Sequence, residues 1–274
     1  MKFQELLATD ALIPSLPEAI SHILGELQKD EPDPRRIVPL VSGEVGLAVR
    51  ILRLVNSARY SAGSERIGSI ETATAMLGVA AVRQLVQAAA VGGAFRQVPG
   101  VDMVDFWRYS LDVAKIAQSL AEELRLDKGA AFTAGLLHGV GDLIMKMAMP
   151  DRPSLQPAFS TDDGRHAAQI ADLGYAWPDV GAAFAARWRF PANIVEAVRH
   201  QCNPQDGEPD KTLSSLLYLA SWSARAHELD IEGTALFESL PQGVADAIGL
   251  KDAARLRDED VIAWTQADEA RDFS

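Results

Sequence analysis

The sequence offers a single thiol, Cys202, among its 274 residues. One cysteine allows no intramolecular disulfide, which excludes a disulfide-stapled scaffold and fits a reducing compartment. Basic residues are in deficit: 26 Lys and Arg stand against 38 Asp and Glu, for a formal charge of -12 and a pI near 4.9. A surface of that sign repels phosphate backbones and anionic lipid, so neither nucleic acid nor a membrane is an expected partner. No run of about 18 uncharged apolar residues occurs; the longest stretch, 79–95, is interrupted by Arg83, Gln84 and Gln87. The opening segment MKFQELLATD has acidic residues and no apolar core, so it does not read as a signal peptide, and the expected location is cytoplasmic. Also missing are the period-2 alternation of strands, any internal repeat, and the glycine motifs GxGxxG, GxSxG and the P-loop.

What remains is apolar residues at helical spacing. They make up 48% of the chain, enough for a sizeable core, and aromatics supply only 7%. The pattern predicts an all-α fold. A capping box, Ser15 to Glu18, opens the first strong helix, in which Ile20, Ile23, Leu24 and Leu27 form one face. Asp33 caps a second helix that Pro39 should kink or shorten. Leu47, Ile51, Leu54 and Val55 line a third, and Ser69 caps a fourth that ends at Gly78. The small residues from Ala88 to Gly93 allow close approach of a neighbouring helix. Gln97-Val98-Pro99-Gly100 is the clearest break, so the expected organisation is a helical subdomain over 1–100, a second over 101–240 and a helical tail over 241–274.

The richest stretch is Ala131–Met149, AFTAGLLHGVGDLIMKMAM. Phe132, Leu136, Leu137, Val140, Leu143, Ile144 and Met147 predict one continuous buried helix, with His138 at its centre. A histidine there is either a packed core residue or part of a metal site. Asp142, four residues on, would share its helix face and could be its hydrogen-bond partner. Elsewhere Arg50, Arg53, Arg59 and Arg66 gather around Asn56-Ser57; they form an ordinary solvated face or a local patch for an anion or an acidic partner. His200 and Cys202 are two apart, so on a helix they do not face each other.

Several motifs then occur in an order that resembles a known family. Leu16-Pro17, Leu52-Arg53-Leu54-Val55-Asn56-Ser57, and Ile67-Gly68-Ser69-Ile70 through Ala73, Leu77 and Gly78 are similar to the opening of an HDOD domain, the HD-related output domain of bacterial signalling proteins. FWRYSLDVA, AGLLHGVGDLI, LGYAWPDVGA, RWRFPANIVEAVRHQ and YLASWSAR follow in the family's order, so that the resemblance covers about residues 12–228. It implies an HD-domain-like multi-helix bundle with an N-terminal helical subdomain. The parent HD phosphohydrolases bind one or two divalent metals through spaced His and Asp residues. Carried onto this chain, those positions are Tyr109, His138-Gly139, Trp177 (or Ala176, one register earlier), His200 and Ser221. Only His138 and His200 keep a ligand, and Asp142 is a weak substitute. The resemblance therefore implies no cofactor, no hydrolysis, and a regulatory module that meets signalling proteins in trans. Tyr109 and Trp177 would plug the former metal cavity or line a small-ligand pocket. The alternatives left open are a residual phosphohydrolase acting on a nucleotide or cyclic dinucleotide, and a sensor that binds a nucleotide without cleaving it.

Overall fold

The computed structural model describes residues 1–9, 18–29, 31–55, 67–95, 97–156, 162–206, 211–231, 235, 238–250, 264 and 270. Among these every regular element is a helix and no strand occurs. Ser15 of the capping box, Arg59, Arg66 and positions 251–263 of the expected helical tail lie outside the described residues, as does the Arg53 side chain. The chain divides into two compact units: 15–96 with 103–108 and 265–274, and 1–14 with 97–102 and 109–264.

The first unit contains α2 (Glu18–Leu27), α3 (Pro34–Gly43), α4 (Val45–Val55) and α5 (Ile70–Ala94). Ile20, Ile23, Leu24 and Leu27 of α2 are buried, as are Ile37 and Val41 of α3 and Leu47 and Ile51 of α4. Asp33 caps α3 by accepting from Arg35 N at 2.9 Å. The helix then runs on past Pro39 to Gly43, so that proline does not end it. Ser69 caps α5 by accepting from Thr72 N at 3.1 Å. Gly78 interrupts α5 with φ 81°, a conformation that side-chain-bearing residues rarely adopt. At the far end, the Arg50 side chain lies against Gly93, where an added Cβ would stand 2.6 Å from its Nη1. Arg50 is half-buried against α5 rather than standing on a solvated face.

The second unit holds α1 (Phe3–Ala8), most of α6 (Met103–Glu123), α7 (Lys128–Leu137), α8 (Val140–Ala148), α9 (Asp162–Leu173), α10 (Trp177–Arg187), α11 (Ala192–Arg199), α12 (Thr212–Glu228) and α13 (Gln242–Ala247). Helix α7 is buried from Gly129 to Leu137, with no polar stripe, as expected of a helix enclosed on all sides. Two glycines permit its surroundings. A Cβ on Gly135 would sit 2.5 Å from the Ala114 Cα of α6, and one on Gly141 would sit 2.0 Å from the Trp177 carbonyl oxygen and 2.6 Å from Gly181 N of α10.

The single helix expected over 131–149 is two helices, broken at His138-Gly139. The apolar spacing carries straight through the break, so periodicity does not reveal it. The Gly135 carbonyl, which a continuous helix gives to the residue four on, takes two donors from His138: the backbone N–H at 3.4 Å and the ring Nδ1 at 2.7 Å. Asp142 N then turns back to Gly139 O at 3.0 Å and starts α8.

These contacts set opposite signs for two Gly→Ala changes. Gly141→Ala forces backbone apart and should cost about 3 kcal/mol. Gly25→Ala, in an exposed turn of α2 with nothing within 4 Å of the new Cβ, should gain about 0.5–1 kcal/mol. Urea denaturation of both variants checks the pair.

Candidate functional site

Helix α6 presents Tyr109, the 138–139 turn presents His138, and α12 presents Ser221 and Arg225. The Tyr109 hydroxyl donates to Ser221 O at 3.3 Å. Its ring lies 5.3 Å from the His138 ring, and the Arg225 guanidinium covers it at 4.5 Å. Trp177, fully buried at the start of α10, carries the Arg165 guanidinium of α9 over its ring at 3.9 Å. The two guanidinium groups meet at one carboxylate: Asp162 Oδ1 lies 3.3 Å from Arg165 Nη2 and 3.5 Å from Arg225 Nη2. Arg165 Nη1 also reaches Asp142 Oδ2 at 3.5 Å, where Lys146 joins at 3.2 Å. Gln169, wholly buried, ties the set together: its Nε2 donates to Asp142 Oδ1 at 3.4 Å and its Oε1 accepts from Trp177 N at 2.9 Å. The Gln201 amide clamps the turn by donating to His138 O at 3.0 Å and Val198 O at 2.9 Å.

Burial and charge fix the protonation states. Burial pushes the Tyr109 phenol up, Asp162 pushes it further, and it stays neutral. Burial acts to raise the Asp162 carboxyl, but Arg165 and Arg225 outweigh it and hold the group below its ordinary value. His138 is held down at about 4, chiefly by burial, and is neutral at physiological pH. A carbonyl can only accept, so the Nδ1 bond to Gly135 O places the proton on Nδ1 and leaves Nε2 as the acceptor.

A neutral imidazole with an available nitrogen is a competent metal ligand, but its neighbours are not a ligand set. Asp142 and Asp162 are each engaged by guanidinium groups. Tyr109 remains a phenol, Gly139 has no side chain, and Trp177 offers only an N–H. Among the described residues no group of three or more His, Cys, Asp and Glu converges in a way that could hold an ion. These residues do not fit the divalent cation of the HD phosphohydrolases, because organic cations already neutralise the carboxylates a metal would need.

Of the positions carried over from the resemblance, Tyr109, His138 and Ser221 come together directly, and Trp177 joins them through Arg165, Asp162 and Arg225. His200 stands apart: its Nε2 meets Glu196 Oε2 at 3.3 Å on its own helix. Asp142 does not bond His138, as its i, i+4 spacing suggested. The helix breaks between them, and Asp142 turns to Gln169, Lys146 and Arg165. Three contributors, Asp162, Arg165 and Gln169, lie outside every motif the sequence offered. Gln201 and Arg225 each close a quoted motif, and Arg225 also falls four residues after Ser221 on the same helix face.

Two measurements follow from this geometry. His138 has a folded-state value below its unfolded one. The unfolded chain therefore takes up a proton first as pH falls, and stability drops by roughly 3 kcal/mol between about pH 6.5 and 4. In His138→Gln, which has no group titrating there, the pH dependence of urea midpoints should flatten over this window. Arg165→Met leaves two carboxylates underpaired and should cost about 3 kcal/mol. Adding Asp162→Asn should recover part of that loss in the same assay.

Comparison with known proteins gives the lineage. Residues 13–204 match the HDOD domain. A crystal structure of a candidate phosphohydrolase from Shewanella amazonensis SB2B superposes with TM-score 0.78 at 29% identity, covering 98% of this chain and 96% of that one. An HDOD domain protein of unknown function from Geobacter sulfurreducens gives 0.62 at 18% identity over 91% and 93%, a likeness of fold alone. An uncharacterized protein of Treponema pallidum (strain Nichols) is 24% identical over 89% of this chain and 48% of its own, so the chain spans about half the length of that relative. The matched span takes in Tyr109, the turn at His138 and Trp177: this chain belongs to the HDOD domain family.

Proposed function

We infer that this chain is a non-catalytic regulatory module of bacterial signal transduction, acting by contact with signalling proteins in trans. The observation that carries the reading is the pair of guanidinium groups, Arg165 and Arg225, set among Tyr109, Trp177, Asp142 and Asp162. A hydrolytic centre needs carboxylates and imidazoles free to grip a metal and to activate water. Here the carboxylates hold arginine, and the aromatic rings lie under those arginines. Membership of the HDOD family supports the signalling role.

The competing reading, a metal-dependent phosphohydrolase, draws on the 29% identity to the Shewanella protein. Elemental analysis separates the two. Protein purified without chelator should carry less than about 0.1 equivalent of transition metal and should not cleave bis-p-nitrophenyl phosphate with added Mn²⁺. Stoichiometric metal, lost together with phosphodiesterase activity in His138→Ala, would overturn the proposal. A nucleotide sensor would instead show saturable binding without turnover in calorimetry.

A further inference from the structure

We propose that the cavity along α12 is a binding site for one uncharged bicyclic heteroaromatic ring, the size of a free nucleobase or an indole, and that it rejects the phosphorylated forms. The inference stands apart from the proposed function, since a protein-contact module can hold such a ligand or lack one.

The cavity measures about 210 Å³. An apolar cavity of about 150 Å³ holds one benzene ring, and drug-sized ligands need about 300 Å³ or more, so this volume suits a bicycle without a sugar and phosphate. One stripe of α12 forms its wall: Tyr218, Ser221, Trp222, Arg225, Ala226 and Leu229 recur at helical spacing. Trp222, half-buried, supplies a π face. Ser221 is 8% exposed, and its hydroxyl is buried without a hydrogen-bond partner, a cost of about 1–3 kcal/mol that an incoming polar edge would relieve. Both hydrogens of the Gln201 amide are committed to His138 O and Val198 O, so the carbonyl oxygen is what this residue offers a ring N–H.

Charge decides against phosphate. Asp162 and Asp163 line the cavity with Arg225 as their cation. Arg225 is already shared between Asp162 and Glu228, and the Asp163 carboxylate accepts from the Tyr218 hydroxyl at 3.2 Å. A phosphate would face two carboxylates and find the guanidinium occupied. An uncharged ring meets neither obstacle.

Cys202 lines the same cavity and is the sole thiol of the chain; burial pushes that thiol up, so its alkylation, run at raised pH where the thiolate forms, reports occupancy. Iodoacetamide modification, followed by intact mass, should slow saturably with adenine or indole, and at least tenfold more weakly with AMP. Trp222→Ala should weaken protection tenfold or more. Leu229→Trp, a change at a rim residue 46% exposed, should crowd the entrance and weaken it as well, with thermal melting confirming that both variants fold. Absence of saturable protection by both rings up to their solubility limits overturns the proposal. So does AMP protecting as well as adenine, or unchanged protection in the two folded variants. Protection by only one ring identifies which ring chemistry the site takes.

Discussion

The second unit depends on one stacked guanidinium. Arg165 lies on the face of Trp177 and joins Asp142 of α8 to Asp162 of α9. Through Asp162 it reaches Arg225 of α12, whose own guanidinium covers Tyr109 of α6. Five helices are thus tied by two planar cations. A desolvated cation–π contact contributes about 2 kcal/mol, and stranding one partner of an enclosed ion pair costs about 3–5 kcal/mol, so the arrangement is stable only when complete. Arg suits the role better than Lys, because a planar fork can stack on a ring and bridge two carboxylates at once.

The histidine at the turn is engaged by backbone. In a hydrolase the turn would deliver imidazole and carboxylate to a common ion. Here the imidazole secures the turn itself, proton on Nδ1, against the Gly135 carbonyl, and Gln201 secures the carbonyl of His138. Glycines at 135 and 141 hold the flanking helices against the backbones of α6 and α10. The residues around the turn are engaged in packing and in hydrogen bonds to backbone.

Much of the fold could be read from the chain because its signals are local. Apolar spacing reports helices, Asp33 and Ser69 announce their helix starts, and the order of motifs gives the family. The candidate site was only half legible. Tyr109, His138, Trp177 and Ser221 could be singled out position by position, since a resemblance aligns residues one at a time. What filled the space could not. Asp162 and Arg225 are 63 residues apart, and no periodicity links them. The break at His138-Gly139 was hidden for another reason: a tight turn can leave the apolar stripe in phase while its carbonyl changes partners. Arg50 misled in the opposite direction, since a long cationic side chain reads as solvent-facing until a glycine opposite makes room for it.

Gly78 bears on how the chain meets lipid. The segment Ile70–Ala94 is, by length and composition, apolar enough to cross a bilayer. A bilayer interior has no water to satisfy backbone groups released at a break, each of which costs several kcal/mol there. The positive φ at Gly78 divides the segment into pieces of eight and sixteen residues, and a span needs about 20 in unbroken hydrogen-bonded register. Hydropathy averaged over the window counts side chains and overlooks this interruption, so in this conformation neither piece can serve as a transbilayer rod.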